Sequence, residues 1–116
     1  MRAIIPLLVV VSLVPGAAWA ASSSEQETSF GINVAKRGLW AEARFRFEKA
    51  LELDPENASA LNNLAIALEQ QGDFERARGA YDKALKLRPS DAYIQQNFDL
   101  FKEADAKRNR KAKKKP

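Results

Sequence analysis

A stretch of 34 residues that occurs twice in tandem constrains the fold more than any other feature of this chain. Residues 24–57 align with residues 58–91 without a gap, and nine aligned pairs are identical. These pairs are Ile32/Ile66, Gly38/Gly72, Ala43/Ala77, Arg44/Arg78, Lys49/Lys83, Ala50/Ala84, Leu51/Leu85, Leu53/Leu87 and Pro55/Pro89. A tandem period of roughly 20 to 50 residues indicates an array of units in which each unit buries the apolar face of its neighbour.

Each copy is predicted to form two helices. In the second copy Leu61, Leu64 and Leu68 follow the spacing that places side chains on one stripe of a helix. The second helix of each copy supplies the other half of the predicted core. Its inward residues are Trp40, Ala43, Phe47, Ala50 and Leu51 in the first copy, and Phe74, Ala77, Tyr81, Ala84, Leu85 and Leu87 in the second.

Local signals mark where these helices begin and end. Asn57 and Asp73 carry side-chain oxygens that can accept hydrogen bonds from the first-turn amides of a helix, so they are predicted N-caps. Gly38 and Gly72 are predicted helix ends, because glycine adopts the left-handed conformation at little cost. The remaining signals are Pro55 and Pro89 as helix stops and a capping box of Ser24 with Glu27.

The order of small, aromatic and proline residues is the same in both copies. It runs through Gly31, Gly38, Trp40, Ala43, Phe47, Ala50 and Pro55, and again through Ala65, Gly72, Phe74, Ala77, Tyr81, Ala84 and Pro89. This pattern closely resembles the tetratricopeptide repeat family, over residues 24–91. The resemblance implies an all-α fold, a right-handed superhelix of helix-turn-helix units, or α-solenoid. It also implies that the first helices line a concave wall that binds a protein or peptide.

A fifth helix is predicted over residues 92–106, with Ser90 or Asp91 as its cap. Its apolar residues are Tyr93, Ile94, Phe98, Leu100 and Phe101. A third complete repeat is not expected, because Asp99 occupies the position held by a small residue in both copies. We therefore interpret this segment as the terminal capping helix that repeat arrays require.

Helical position, taken with the resemblance, predicts which side chains face the concave groove. They are Thr28, Ile32, Ala35, Asn62, Asn63, Ile66, Glu69, Tyr93, Gln96, Asn97 and Leu100. Asparagine side chains can bond an extended peptide backbone, and the isoleucines and Leu100 offer it an apolar floor. The competing interpretation is that the asparagines are only solvated and the isoleucines belong to the packing.

The first twenty residues differ from the rest of the chain. One positive charge at Arg2 is followed by an apolar run that ends at Val14, and small residues stand at Ala18 and Ala20. This is the pattern of a secretory signal peptide, and the run is shorter than the roughly 20 residues that span a bilayer. We expect cleavage after Ala20 and a periplasmic or secreted protein. An uncleaved signal anchor and a buried core strand are the alternatives.

The end of the chain is strongly basic. Seven of the last ten residues are cationic, namely Lys107, Arg108, Arg110, Lys111, Lys113, Lys114 and Lys115. Without aromatic residues or an apolar period, residues 107–116 are predicted to be disordered. They could dock on an anionic membrane surface, bind nucleic acid or only aid solubility. Nucleic acid fits poorly with an export signal.

Composition excludes most catalytic chemistry. The chain has no histidine and no cysteine, which removes the usual nucleophile pairs, zinc clusters and disulfides. We expect no enzyme activity, no cofactor and no metal site. The predicted function is an exported protein-interaction adaptor, and the alternative is a structural subunit whose repeats serve only for packing. Pairing with a second copy of the chain stays open.

Overall fold

The computed structural model describes Ala3 and residues 21–115, and the predicted signal peptide lies outside the described residues apart from Ala3. The described part is helical, with five helices in sequence. They are α1 (Ser24–Lys36), α2 (Trp40–Leu53), α3 (Ala58–Gln70), α4 (Phe74–Leu87) and α5 (Ala92–Lys113). Helices α1 and α2 form the first hairpin, α3 and α4 form the second, and α5 packs on the second. The predicted all-α solenoid is confirmed.

Side-chain caps begin the helices at or next to the predicted positions. The Asn57 carboxamide accepts from the amide of Ala60 at 3.0 Å, and the Asp91 carboxylate accepts from Tyr93 and Ile94. Asp73 caps α4 in the same way. The predicted capping box exists but lies one residue earlier in the chain. It joins Ser23 to Gln26, with reciprocal hydrogen bonds of 3.1 and 2.8 Å.

The predicted turn glycines both adopt left-handed backbone conformations. Gly38 has φ of 76° and Gly72 has φ of 80°. The amide that follows each glycine returns to the last turn of the preceding helix, as Asp73 N does to Leu68 O at 2.9 Å. This closure satisfies carbonyl groups that would otherwise lack a partner, so each hairpin folds back within a few residues.

The core is built from aromatic side chains that lie against small residues. Phe47, Tyr81 and Phe101 are almost completely buried. The Tyr81 ring stacks on Phe98 with 5.6 Å between ring centroids, and Phe101 lies 5.4 Å from it. Each hairpin therefore contributes one fully buried aromatic residue to a continuous core that α5 closes, and Trp40 and Phe74 pack against it. Leu87, which was expected inside, is exposed because α4 ends there.

Helix α5 is longer than the sequence predicts. It continues to Lys113, so the expected boundary at residue 106 is wrong and residues 107–113 are helical rather than disordered. The reason is that its inward stripe does not end at Phe101 but continues with polar residues. The Arg108 guanidinium lies 3.5 Å from the ring centre of Phe74, and Asp105 accepts a hydrogen bond of 2.6 Å from Arg78. A stacked arginine thus replaces the apolar residue that the pattern lacks.

The outer side of α5 carries polar and charged residues, and the array of helices ends there. Asp99 is exposed and accepts a hydrogen bond of 2.9 Å from Gln95, and it pairs with Lys102 at 3.3 Å. A further helix would have to bury these groups, so the side that would receive a third unit is occupied by polar residues. Within residues 21–115, no helix combines the length and hydropathy needed to span a membrane.

Two glycines in otherwise regular helices provide a test of how closely α1 and α2 approach. A Cβ on Gly31 would lie 2.7 Å from Cδ1 of the buried Phe47 ring, whereas a Cβ on Gly79 in α4 meets nothing within 4 Å. We expect Gly31→Ala to destabilise the protein, because overpacking costs about 1–3 kcal/mol and outweighs the roughly 1 kcal/mol gained in helix propensity.

The matched variant Gly79→Ala should instead raise the free energy of unfolding by about 0.5–1 kcal/mol, since only the propensity term applies there. Urea unfolding followed by circular dichroism measures both changes. Equal effects of the two substitutions would contradict the close approach of α1 to Phe47.

Candidate functional site

Helices α1, α3 and α5 lie side by side and carry the residues that were predicted to face the groove. Helix α3 contacts both neighbours, and the side-chain NH₂ of Asn97 in α5 donates to the side-chain oxygen of Asn62 at 3.3 Å. Ile32, Ile66 and Leu100 occur one period apart, so they take the same position on the three helices. The three helices therefore form one shared surface, which we call the concave surface after the wall that the family resemblance implies.

Two of the predicted groove residues are buried and do not offer their side chains to a partner. Asn62 is 1% exposed and Thr28 is 5% exposed. The Thr28 hydroxyl donates to the backbone carbonyl of Ser24 at 2.8 Å and accepts from the side-chain NH₂ of Asn57 at 3.3 Å. Ser24 in turn donates to the carbonyl of Ala50 at 2.8 Å. For these two residues the prediction is wrong, because their polar groups join the helices to one another.

Glu69 and Asn63 are half-buried and partly engaged inside the protein. The Tyr81 hydroxyl donates to the Glu69 carboxylate at 2.9 Å, and the Asn63 side-chain NH₂ donates to the backbone carbonyl of Ser59 at 2.8 Å. Burial, together with the negative charge of Glu69, raises the pKa of Tyr81 above its ordinary value. Tyr81 therefore stays a neutral hydrogen-bond donor that holds Glu69 in place.

The exposed members of the concave surface are mainly apolar and lie on α5. Tyr93 is 61% exposed and Leu100 is 58% exposed, and Gln96 is exposed beside them. Ile32, Ala35 and Ile66 are half-buried and pack on the core from this side. What this surface offers a ligand is thus an apolar strip of Ile32, Ile66, Leu100 and Tyr93, with few uncommitted polar groups.

A cleft at the α2–α3 end of the concave surface was not predicted from the sequence. It has a volume of about 290 Å³, and its lining includes Thr28, Ile32, Glu25, Ser29, Ser59 and Arg88. Helical register could have identified part of it. Glu25 and Ser29 precede Thr28 and Ile32 by three residues, and Ser59 lies one period after Glu25.

The cationic residues at the end of the chain divide into two groups. Arg108 points to α4, where it stacks on Phe74 and pairs with Asp105 at 3.2 Å. Hydrogen bonding from Arg78, with a further contribution from Arg108, lowers the pKa of Asp105 below its ordinary value. The other group is exposed: Lys107, Arg110, Lys111, Lys113, Lys114 and Lys115. Lys107, Arg110, Lys111 and Lys114 line one shallow surface, which we call the basic stripe.

A second recess lies at the open end of the first hairpin. It has a volume of about 410 Å³ and is lined by Ser22, Gln26, Glu27, Phe30 and Arg46. Glu27 is buried there, accepting from the Ser22 hydroxyl at 2.6 Å and from Arg46 at 3.3 Å. The hydrogen bond from Ser22, with further contributions from Arg46, holds the pKa of Glu27 below its ordinary value. Arg46 also lies over the Phe30 ring, 4.2 Å from its centre.

A comparison with known families decides what kind of module these helices form. Residues 29–92, more than half of the chain, match the family model described as Tetratricopeptide repeat. The chain belongs to the tetratricopeptide repeat family. The family resemblance predicted from the sequence is thereby confirmed. A comparison with curated proteins finds no match for the chain.

Membership of this family gives the general role of the protein. Tetratricopeptide repeats are non-catalytic modules that mediate protein–protein interaction. The chemistry of the concave surface in this tetratricopeptide repeat protein agrees with that role. Its polar groups are committed to contacts between helices, and its exposed residues offer apolar contact rather than proton transfer.

The buried Glu27 predicts how stability depends on pH. The folded-state pKa of Glu27 lies below the unfolded value of about 4.3. The ionised carboxylate therefore stabilises the fold fully above the unfolded pKa, and this stabilisation is lost as the pH falls through the folded pKa. We expect Glu27→Gln to destabilise the protein near neutral pH, and the difference from wild type to shrink below about pH 4.

Urea unfolding at a series of pH values measures this difference. Glu52→Gln is the matched control, because Glu52 is an exposed residue of α2 outside the ion pairs found within residues 21–115. The control should leave the pH profile of stability unchanged. A Glu27→Gln effect that is the same at every pH would rule out the predicted contribution of the charge.

Proposed function

We propose that this tetratricopeptide repeat protein is an exported adaptor that binds a segment of a partner protein on the concave surface. The observation that carries the proposal is the exposure of Tyr93 and Leu100 at the end of the apolar strip. Large apolar residues gain free energy when a partner removes them from water, and solenoids commonly bind through their concave side.

The size of the concave surface favours a short segment over a folded domain. Neighbouring packed helices lie about 8–10 Å apart, so three helices span roughly 20 Å between the outer axes. An extended chain covers that distance with about six to eight residues. Aromatic residues such as Tyr93 commonly anchor such interfaces, and the half-buried isoleucines supply a floor for the segment.

A structural role in a larger assembly is the second candidate. It is favoured by Phe30 and Phe45 in the first hairpin, because both rings are exposed and Phe45 is 53% exposed. A neighbouring subunit would cover these rings, whereas a groove ligand would leave them in water. The two roles therefore use different surfaces of the same molecule.

Site-specific photo-cross-linking distinguishes these surfaces. A benzoylphenylalanine in place of Tyr93 or Leu100 should cross-link to a discrete partner protein, because these side chains would lie under the bound segment. The same group in place of Lys83, an exposed residue of α4, is the control and should give no discrete product.

The cross-linker in place of Phe45 tests the assembly role. Products from Phe45 together with none from Tyr93 and Leu100 would overturn the adaptor proposal in favour of packing into an assembly. Mass spectrometry of the cross-linked peptides identifies the partner and the segment in each case.

Export is proposed from residues 1–20 alone. Their charge, apolar run and small residues follow the pattern of a signal peptide that is cleaved. We expect the chain recovered from outside the cytoplasm to begin at Ala21, as measured by N-terminal sequencing. Ala20→Arg should block cleavage, because the peptidase site requires a small residue there. Wild-type chains that begin at Met1 would contradict the proposal.

A further inference from the structure

The exposed side of α5 changes its chemistry along the helix. Positions 93, 97, 100, 104, 107, 111 and 114 alternate in steps of four and three, so they share one side of the helix. The first half of that side carries the exposed Tyr93 and Leu100, which belong to the concave surface. The second half carries the basic stripe. The apolar strip and the basic stripe are therefore continuous.

Contacts on the inward side of α5, next to the basic stripe, fix the direction in which the stripe points. Arg108 stacks on Phe74 with 3.5 Å between the guanidinium carbon and the ring centre. Asp105 accepts from Arg78 at 2.6 Å and from Arg108 at 3.2 Å. These contacts fasten the helix to α4 up to residue 108. Since the helix continues unbroken to Lys113, the stripe keeps a defined position relative to Leu100.

The basic stripe carries almost uncompensated charge. Lys107 pairs with Glu103 at 3.2 Å, while Arg110, Lys111 and Lys114 form no ion pair with any carboxylate in residues 21–115. Like charges at helical spacing repel one another by a few tenths of a kcal/mol for each pair. An anionic ligand on the stripe would be attracted by several cations at once, and this attraction would offset the repulsion among them.

We propose that the concave surface takes a partner segment that is apolar at one end and acidic at the other. Its apolar residues lie on Tyr93 and Leu100, and its carboxylates lie on the basic stripe. This inference rests on the proposed function and names the chemistry of the partner. At about 1.5 Å per residue, Leu100 to Lys114 spans about 21 Å of helix, so about six further residues of an extended segment follow α5 beyond the part that crosses the three helices.

The arrangement favours a peptide over an anionic membrane. Helices that lie on membranes carry apolar and basic residues on different sides of the helix, so that the apolar side enters the bilayer while the charges stay at its surface. Here the two kinds of residue follow one another along the same side. A linear segment whose composition changes along its length matches that order.

Fluorescence anisotropy with synthetic peptides tests the inference on the full chain. The probes are twelve-residue peptides that place two leucines before or after four glutamates, and the same peptides with glutamine in place of glutamate. We expect at least one glutamate peptide to bind ten times or more tightly than its glutamine counterpart. That preference should weaken at high salt, because exposed charges are screened.

The double variant Lys111→Glu, Lys114→Glu should weaken binding of the glutamate peptide about tenfold or more. The control Lys49→Glu, Lys83→Glu places the same charge change on exposed positions of α2 and α4 and should leave binding unchanged. Circular dichroism verifies that the helices persist. A milder pair, Lys111→Gln, Lys114→Gln, removes the cations without adding acid to the end of the helix, and should also weaken binding.

Several outcomes would overturn the inference. They are equal binding of glutamate and glutamine peptides, absence of peptide binding, and binding only to phosphatidylglycerol vesicles or to a single-stranded oligonucleotide. Cross-linking from Leu100 that survives Lys111→Glu, Lys114→Glu unchanged would reject the acidic segment while leaving the adaptor function intact. Absence of cross-linking from both Tyr93 and Leu100, without the lysine substitutions, would reject the adaptor itself.

Discussion

The close approach of paired helices around one buried aromatic residue is the constraint on which the rest of the structure depends. Phe47 fills the first hairpin, where Gly31 lets the helices come together around its ring, and Tyr81 is buried in the second. Tyr81 also connects the core to the concave surface, because its hydroxyl bonds Glu69 while its ring packs on Phe98 and Phe101. Packing around the Tyr81 ring thus helps to place α5, and with it the exposed Tyr93 and Leu100.

Much of the fold could be predicted because its determinants are local and occur twice. Asn57 and Asp73 act as caps through their own side chains, and Gly72 needs only its own backbone freedom to end α3. The length of α5 could not be predicted in this way. Its last turns depend on Arg108 reaching Phe74, a contact between residues far apart in the sequence. In the sequence alone, that arginine is indistinguishable from its solvated neighbours.

The sequence predicts which residues of the candidate site share a surface, but not which of their side chains are exposed on it. The period places Ile32, Ile66 and Leu100 at equivalent points, and the structure has them on neighbouring helices. Thr28 and Asn62 occupy suitable helical positions, yet their polar groups are taken up by Asn57 and Asn97 from other elements. Whether a polar side chain is free depends on such partners, and helical periodicity carries no information about them.

The two ends of the array expose different kinds of side chain. At one end Phe30 is partly open to water, and at the other Asp99, Gln95 and Lys102 keep the last helix hydrated. A further hairpin packed on the first one would cover the Phe30 ring together with Arg46, whereas one packed on α5 would cover the Asp99–Lys102 ion pair. A unit added at the first end therefore gains an aromatic contact that the other end does not offer.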